Sequence, residues 1–402
     1  MRNPKRMDLF LLLRPLTAFV TRPTAVSAGV QGRGLNSCFR LRSAEKNGLG
    51  RLQRRHFSPL SIDAAANTMV KTRRFITVKR FEGEPKPSDL KLVEEELPPL
   101  KDGEFLCKAV WMSVDPYMRA YAPRVPLGMT MMGSQVAEII ESKNPKFKVG
   151  QNIVGYFGWQ TYSISDGSES AKNGLEKPFI IPDFKGLPLS LALGVLGMPG
   201  NTAYFGFLEL CQPKSGETVV VTGAAGAVGS IVGQIAKIKG CKVIGFAGTD
   251  EKCKWLTEDL KFDAAFNYKK TTVAEALKKA APNGVDCYFD NVGGETSSEI
   301  IRHMNDYGRI SVCGSISTYN ATDIPKATVV QMPMISKQLK MEGFLVHRWS
   351  HRWEEGILQI LQWIKEGKIK YNETVTEGFE KMPTAFINML RGENVGKAVV
   401  KV

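Results

Sequence analysis

Residues Gly223-Ala224-Ala225-Gly226-Ala227-Val228-Gly229 decide the fold. They follow the short apolar run Thr218–Val221, which predicts a buried strand, and they lead into Val228–Lys239, which predicts a helix. Glycines at such a turn let the backbone bend sharply and approach a pyrophosphate, which then lies on the helix N-terminus. A tight turn that binds nothing is the alternative, but the strand–turn–helix context favours a dinucleotide site.

On the C-terminal side of this motif, short apolar segments alternate with helical ones. Predicted strands cover residues 242–246, 264–267, 285–290 and 308–313, and predicted helices cover residues 251–260, 272–280 and 296–304. This alternation is typical of a parallel sheet with helices on both faces. We therefore predict an α/β fold with a Rossmann-type, doubly wound parallel sheet in residues 196–371.

The segments on either side of that domain have a different pattern. Residues 69–195 alternate or run apolar over short stretches, with Pro, Gly and Asp between them, which indicates a mostly β domain. Residues 372–402 return to a strand pattern that ends in Ala398–Val402. We expect this last segment to complete the β domain.

Composition excludes several classes of protein. The chain has 402 residues, 43% of them hydrophobic and 23% charged, which is ordinary for a globular protein and unlike collagen or a disordered chain. No apolar run approaches the roughly 18–20 residues of a membrane-spanning helix. Of the net charge of +14, residues 1–68 carry most, with 12 Lys and Arg against three Asp and Glu. The rest of the chain is only mildly basic, so neither a nucleic-acid nor a membrane partner is predicted.

The basic N-terminal extension, residues 1–68, has the pattern of a mitochondrial presequence. Its arginines are scattered, acids are rare, and Arg55-His56-Phe57-Ser58 resembles a matrix-processing site with cleavage after Phe57. An upstream start, with Met69 as the true one, remains the main alternative, and a secretory signal is weaker because Arg14 interrupts the apolar core. The expected location is the mitochondrial matrix, or the cytoplasm if the extension is not a presequence.

The end of the second predicted strand bears on the choice of cofactor. A site for NAD normally carries an acid there, which accepts from the ribose hydroxyl. Here the strand ends at Gly248-Thr249, followed by Asp250, Glu251 and Lys252. The two acids could bind the ribose or simply favour the helix N-terminus, but Lys252 could pair with a 2′-phosphate. The residues favour NADP over NAD.

The chain lacks the ligand set of a zinc dehydrogenase. Its four histidines are His56, His303, His347 and His351, so no histidine lies between residues 57 and 302. Its seven cysteines are spread out and form no Cys-x-x-Cys pair, which suits a reducing compartment better than a disulfide framework or a zinc ribbon. His347 and His351 could form a metal pair, but the neighbouring Arg and Trp residues favour a solvated surface. We predict no metal site.

At this point the chain resembles a known family. From about Met69 to Val402, five sixths of its length, it is similar to the zinc-independent medium-chain dehydrogenase/reductases, and more closely to the group of prostaglandin reductases, leukotriene B4 12-hydroxydehydrogenases and alkenal double-bond reductases. The matching segments are Val114-Asp115-Pro116-Tyr117-Met118-Arg119, Met131–Val136, Gly197–Tyr204, Phe289–Gly294, Ser317–Asn320 and Gly378–Glu380. Zinc-dependent relatives have Gly-His-Glu where this chain has Gly133-Ser134-Gln135.

The resemblance implies a GroES-like catalytic domain beside the Rossmann domain, and an NADPH-dependent reductase acting on the C=C bond of α,β-unsaturated ketones and aldehydes. It also implies a set of cofactor-binding residues. These are Gly226, Ala227, Val228 and Gly229 at the pyrophosphate, Lys252 and Tyr268 at the 2′-phosphate, and Asn291, Cys313, Gly314, Ser315, Ile316, Ser317, Thr318, Tyr319, Phe344, Leu345, Val346 and Asn394 around the nicotinamide and ribose.

The predicted chemistry needs a hydrogen-bond donor for the enolate oxygen that forms when hydride reaches the β-carbon. With no metal or histidine available, the candidates are Tyr319, Tyr117 and the ribose 2′-hydroxyl of the cofactor. Either tyrosine could instead only line the pocket. Two departures from the group put the substrate in doubt: one extra residue between Lys252 and Phe262, and a linker at 323–338 that has few prolines and carries Ser336.

Three functions remain open on the sequence. The first is an enone and enal reductase, the second is an NADPH quinone reductase of the same superfamily, and the third is a non-catalytic cofactor-binding or RNA-binding relative. Only the slight positive charge of residues 69–402 favours the non-catalytic or RNA-binding function. A small enone or enal is the expected partner, and a homodimer is a further possibility.

Overall fold

The computed structural model describes residues 69–168 and 177–402. The presequence prediction, with its cleavage site after Phe57, concerns residues 1–68 and lies outside the described residues. Over the described ranges the strands form three sheets, which have two, seven and six strands. No helix in these ranges is both long enough and apolar enough to cross a bilayer.

The first part of the chain is mostly β, as its alternating pattern predicts. Its long central strand is largely buried, which suits a strand with neighbours on both edges. One short helix, α1 (Tyr117–Tyr121), follows that strand. The strands of this part are β1 (Lys71–Thr77), β2 (Leu90–Glu96), β3 (Phe105–Val114), β4 (Gln135–Ser142), β5 (Asn152–Gly155), β6 (Tyr162–Ser165) and β7 (Phe179–Ile180).

The middle of the chain forms a six-stranded parallel sheet. Its strands are β8 (Thr218–Val221), β9 (Lys242–Ala247), β10 (Ala264–Asn267), β11 (Val285–Asp290), β12 (Met304–Val312) and β13 (Lys340–Gly343). The order β10-β9-β8-β11-β12-β13 corresponds to 3-2-1-4-5-6, which confirms the predicted doubly wound sheet. The strand order reverses between β8 and β11, so a ligand is expected at their carboxyl ends.

Helices cover this sheet because their apolar faces need burial. They are α2 (Met198–Leu208), α3 (Gly229–Ile238), α4 (Asp250–Lys254), α5 (Val273–Ala280), α6 (Gly294–Arg302), α7 (Gln331–Ser336) and α8 (Trp353–Lys365). Helix α3 packs closely against Phe262, in the connection that leads into β10, since a Cβ at Gly233 would lie 1.9 Å from that ring.

Two helix predictions need correction. The predicted helix 251–260 is α4 followed by a wider, π-helical turn, Trp255–Asp259. Such a turn is how a helix accommodates one additional residue, and the extra residue inferred between Lys252 and Phe262 falls here. The predicted helix 296–304 ends earlier, at Arg302, because Met304 already belongs to β12.

The C-terminal segment joins the mostly β first part of the chain, and we call the two together, residues 69–195 and 372–402, the β part. It contains β14 (Glu373–Glu377), helix α9 (Met382–Leu390) and β15 (Lys397–Lys401). Strand β15 pairs antiparallel with β3, and β14 pairs parallel with β15, so both extend the seven-stranded sheet. The chain thus passes from the β part into the six-stranded sheet and back. The two parts meet where Arg119 on α1 contacts Asn320, which follows β12, and we call the region between them the cleft.

Candidate active site

The glycine-rich turn has the geometry of an anion cradle. Gly223 has a φ of +59°, and a Cβ at Gly229 would lie 2.5 Å from the Gly223 carbonyl oxygen, so side chains are excluded at both positions. Gly226 forms an isolated parallel bridge with Gly396, and within residues 69–168 and 177–402 the amide of Val228 donates to no backbone carbonyl. The turn opens onto the N-terminus of the ten-residue helix α3. These features fit the pyrophosphate of a dinucleotide.

The end of β9 fits a 2′-phosphate better than a bare ribose. The side chain of Asp250 is engaged by Lys270 and by the Asn267 amide, whose Nδ2 donates to Oδ1 at 2.8 Å. Both of its oxygens are therefore already engaged, one by an amide and one by a cation. Lys252 follows two residues later, and burial together with the neighbouring Lys269 lowers the pKa of its amine. A phosphate would relieve that unfavourable environment.

Tyr268 follows the end of β10, which is the neighbour of β9 in the sheet. Its hydroxyl would be 3.2 Å from a Cβ at Gly248, and its side chain is about half exposed. The ring therefore lies over the Gly248-Thr249 turn, beside the segment that carries Lys252. A Cβ at position 248 would require the Tyr268 hydroxyl to shift by a few tenths of an ångström.

The carboxyl end of β11 is organised by an acid that sequence reasoning did not single out. Asp290 is buried, and its Oδ1 accepts from the amides of Val292 and Gly293 at 2.9 and 2.8 Å. The Asn291 side chain donates to the carbonyl of Thr222, at the end of β8, at 2.7 Å. These bonds hold the loop after β11 against the glycine-rich turn, at the point where the strand order reverses.

The predicted residues 313–319 form a compact turn after β12. The Tyr319 hydroxyl accepts from the Ser315 amide at 3.2 Å, and the Thr318 hydroxyl donates to the Ser315 carbonyl at 2.8 Å. Ser317 donates to the Val292 carbonyl at 2.6 Å, which joins this turn to the loop after β11. Burial raises the pKa of the Cys313 thiol to about 12. Cys313 therefore stays a neutral thiol, and Gly314 leaves room for the Tyr319 hydroxyl.

Tyr319 is shielded enough to remain protonated. Burial raises the pKa of its hydroxyl above 10, with smaller contributions from Cys313, Tyr121 and Asp290, while the Ser315 amide opposes them. The neighbouring residue, Asn320, accepts from Arg119 on α1, so Tyr319 lies close to the β part of the molecule. A neutral phenol near the mouth of the cleft is a hydrogen-bond donor at neutral pH.

Tyr117 begins α1 on the opposite side of the cleft. Its hydroxyl and that of Tyr156 are both buried and lie close to each other, and no hydrogen bond of normal geometry satisfies either of them among the described residues. Their rings stack with centroids 6.3 Å apart. Burial raises the pKa of Tyr117 well above 10, and Tyr156 and Asp115 raise it further. Unpaired buried hydroxyls of this kind can be satisfied by an oxygen of a bound substrate.

A buried ion pair fixes the start of α1. Lys397 on β15 donates to Asp115 Oδ1 and to the Val114 carbonyl, both at 2.7 Å, and both charged side chains are less than a tenth exposed. Asp115 also accepts from the Ser113 hydroxyl. The C-terminal strand therefore holds the segment that carries Tyr117.

The remaining predicted cofactor residues lie at the cleft with different exposures. The Phe344 ring packs inward, against Gly206 and with its centroid 5.6 Å from that of Trp349, whereas the side chain of Leu345 is exposed and that of Val346 is buried. The Phe344 ring is thus held by packing and only partly exposed. Asn394 donates to the Gly396 carbonyl, and the Gly396 amide donates to the Ala225 carbonyl, each at 2.8 Å. Asn394 is thereby held beside the glycine-rich turn.

The segment that matches the zinc-ligand position of relatives is occupied by packing and amide contacts. Gln135 donates to the Gly158 carbonyl at 2.9 Å, and a Cβ at Gly133 would meet Met118 and Trp159. Over residues 69–168 and 177–402, His, Cys, Asp and Glu side chains form no group of three that could hold a metal ion. The 3₁₀ segment carrying His347 and His351 is kinked at Trp349, so these two residues are not presented as a regular helical pair.

Sequence reasoning assigned no role to four residues that the structure brings to this cleft: Arg119, Tyr121, Tyr156 and Asp290. Arg119 and Asp290 lie inside the quoted segments, but the pattern gave no sign of what they touch. Tyr121 follows Tyr117 by one helical turn, with ring centroids 6.2 Å apart, so its position could have been inferred from the spacing. Tyr156 carried no signal in the sequence.

Comparison with known proteins relates both parts of the chain to oxidoreductases. A family model described as the N-terminal domain of oxidoreductase matches residues 73–172, and one described as zinc-binding dehydrogenase matches residues 227–363. The chain is 52% identical to prostaglandin reductase 1 of Rattus norvegicus over 83% of this chain and 100% of that protein. It is 39% identical to the NADP⁺-dependent 2-alkenal reductase of Nicotiana tabacum over 85% and 98%.

A solved structure matches most of this chain in fold. The structure of CurA from Vibrio vulnificus in complex with NADPH is 39% identical, with a TM-score of 0.76, over 82% of this chain and 99% of that one. The relatives thus match both parts of the molecule, and one of them was solved with the cofactor whose phosphates the glycine-rich turn and Lys252 would fit.

Proposed function

Since the chain belongs to the zinc-independent medium-chain dehydrogenase/reductases, in the group of prostaglandin and alkenal reductases, we propose that it uses NADPH to reduce the C=C bond of α,β-unsaturated ketones and aldehydes. The observation that carries this proposal is the 52% identity with prostaglandin reductase 1 over that protein's entire length. The neutral hydroxyls of Tyr319 and Tyr117 suit such a substrate, because the reaction needs hydrogen-bond donors to an oxygen.

NADPH supplies the hydride when it is bound. The glycine-rich turn from Gly226 to Gly229, with the free Val228 amide, would hold its pyrophosphate, and Lys252 and Tyr268 its 2′-phosphate. The turn at residues 313–319 and the loop around Asn291 would enclose the ribose and nicotinamide. These groups come from the carboxyl ends of β8, β9, β10, β11 and β12, where open parallel sheets bind ligands.

Tyr319 would stabilise the charge that develops on the substrate. Addition of hydride to the β-carbon breaks the C=C π bond and places negative charge on the carbonyl oxygen, as an enolate. A neutral hydroxyl already fixed near that oxygen lowers the barrier without having to reorganise. The raised pKa of Tyr319 keeps its proton in place for this task, and the same property makes it a poor acid.

Tyr117 would face the substrate from the β part. Its unpaired hydroxyl can donate to the carbonyl oxygen or orient the water that protonates the α-carbon, which completes the saturated carbonyl product. The Lys397–Asp115 pair supports this role by holding the N-terminus of α1 in place.

The test of this function is a panel of acceptors. NADPH oxidation is measured with a short enal, an aliphatic enone, an aryl enone and a quinone, and each product is identified. Enones and enals should be turned over to saturated carbonyl compounds at rates well above that of the quinone. Faster turnover of the quinone would favour the alternative, a quinone reductase, and RNA binding without NADPH oxidation would favour a non-enzymatic relative.

The proposal includes a homodimer joined along β13. This strand is an edge of the six-stranded sheet, and Met341 and Leu345 beside it are exposed. An antiparallel pairing centred on Met341 would place Lys340 opposite the partner's Glu342 in both copies, so the strand is complementary to itself. Sedimentation should give a dimer for the wild type and a monomer for Met341→Pro, and a wild-type monomer would refute the pairing.

We further propose that residues 1–68 direct the enzyme to the mitochondrial matrix, on the basis of their charge pattern. A fluorescent protein fused after residue 68 should accumulate in mitochondria, and replacing Arg2, Arg6 and Arg14 with Gln should leave it in the cytosol. A diffuse distribution of the unaltered fusion would refute the proposal.

A further inference from the structure

Arg119 is a buried cation without a carboxylate partner. It lies on α1, two residues after Tyr117, and is 5% exposed. None of the ion pairs among residues 69–168 and 177–402 includes it. Removing a guanidinium from water is costly unless its donors are used, so the groups that it contacts indicate what it does.

Its donors reach two other segments. One guanidinium nitrogen donates to the Gly83 carbonyl at 2.9 Å, and the Arg119 Cζ lies 5.7 Å from the centre of the Phe81 ring. These contacts stay within the β part of the molecule. The third contact crosses the cleft: Arg119 Nε donates to Asn320 Oδ1 at 3.0 Å.

Asn320 is the residue after Tyr319. The same turn touches the β part a second time, since a Cβ at Gly83 would lie 3.8 Å from the Thr322 methyl group. A single guanidinium therefore joins α1, the loop at Gly83 and the turn that carries Tyr319. Within its own domain the Tyr319 hydroxyl is held by one hydrogen bond, to the Ser315 amide.

We propose that Arg119 is a positioning residue, which fixes Tyr319 by holding Asn320 and so sets the distance between Tyr319 and Tyr117 across the cleft. The inference rests on the proposed function, because it concerns the tyrosines of that reaction. Tyr117 and Arg119 belong to one short helix, so they move together, and Asn320 moves with Tyr319. An error of about 1 Å in such a placement can lower turnover by up to about a hundredfold.

A role confined to the stability of the β part would leave a different signature. The Arg119 bonds to Gly83 and the contact with Phe81 do not involve Asn320. Replacing Asn320 removes only the contact across the cleft, whereas replacing Arg119 disturbs all of them and could unfold the loop. Asn320 is therefore the informative position.

The experiment compares Asn320→Ala, Asn320→Asp and the exposed control Asp323→Asn, each in the wild type and in Tyr319→Phe. Measurements are kcat and KM for an enone, KM for NADPH and the unfolding temperature. Asn320→Ala should lower kcat roughly tenfold with little change in KM for NADPH or in unfolding temperature. Asn320→Asp keeps an acceptor for Arg119 and should retain most of the turnover, and Asp323→Asn should match the wild type.

The decisive comparison is the double variant. If Asn320 acts through Tyr319, Asn320→Ala should cost little further kcat in Tyr319→Phe, so the two losses will not multiply. Independent losses that multiply, or no loss in Asn320→Ala, would overturn the positioning role while leaving the proposed function intact. A wild-type enzyme that reduces no enone would instead refute the proposed function, and the positioning role with it.

Discussion

The side-chain amine of Lys252 donates to the backbone carbonyl of Gly392 at 2.5 Å. Lys252 lies on α4 of the nucleotide-binding part, whereas Gly392 follows α9 in the C-terminal segment that returns to the β part. The amine that would bind a 2′-phosphate thus already bridges the two sides of the cleft. A bound phosphate can replace the Gly392 carbonyl as the acceptor of this amine. The exchange is favourable because a charged acceptor gives a stronger hydrogen bond than a neutral one.

Replacing Lys252 with Ala should raise KM for NADPH about tenfold or more and leave NADH kinetics nearly unchanged, because only NADPH carries the phosphate. Lys254→Ala is the matched control, since Lys254 lies on the same helix and is well exposed. The measurement is initial rate against the concentration of each cofactor. An equal loss with both cofactors would show that Lys252 supports the fold or the cleft rather than the phosphate.

Replacing Tyr319 with Phe should lower kcat roughly tenfold with little effect on KM for NADPH. Loss of one oxyanion donor costs about 10²–10³ in well-studied sites, but Tyr117 and the cofactor ribose would remain as donors. Steady-state kinetics with one enone, beside Tyr319→Ala, separates the two roles of the side chain. Turnover of the Phe variant within about twofold of wild type would remove Tyr319 from the mechanism.

The pH profile should report the raised pKa of Tyr319. A tyrosinate cannot donate, so activity that depends on this hydroxyl falls only as the pH rises through its pKa, which lies above the usual 10.0. We expect kcat to be level up to about pH 9, with an alkaline decline above pH 10 that disappears in Tyr319→Phe. A decline centred below pH 10 that the Phe variant abolishes would show that the hydroxyl is more acidic than its surroundings imply.

Removal of metal ions should not change turnover. The matching segment is Gly133-Ser134-Gln135, and its glutamine is engaged by the Gly158 carbonyl. Prolonged dialysis against a chelator, followed by kinetics and metal analysis, tests this. One tightly bound zinc ion per chain, lost together with activity, would overturn the proposed chemistry.

Local signals in the sequence predicted the nucleotide-binding part well. The turn from β8 into α3 involves neighbouring residues, so its glycines and flanking apolar runs suffice to predict it, and the alternation downstream gives the parallel sheet. The prediction of one regular helix after β9 was wrong for the second half of that segment. Its periodicity continues through Trp255–Asp259, while the backbone widens there into a π-helical turn that no simple pattern marks.

The cleft itself was harder to predict. Arg119 and Asn320 lie 201 residues apart in the chain, and neither residue type indicates which residue it will contact. The unpaired hydroxyl of Tyr156 depends on how α1 packs against the strand end at β5, and the bond from Lys252 to Gly392 depends on the return of the C-terminal segment. Sequence patterns identify which residues face a sheet edge, whereas contacts between distant segments follow from tertiary packing.

The most direct test of the central claim uses NADPH that carries deuterium at the transferable position of its nicotinamide. The enzyme is supplied with one α,β-unsaturated ketone, and the product is analysed by mass spectrometry and NMR. The account predicts a saturated ketone with one deuterium at the β-carbon and a proton from solvent at the α-carbon. An allylic alcohol with deuterium on the carbinol carbon would contradict it, because hydride would then have reached the C=O group instead of the C=C bond.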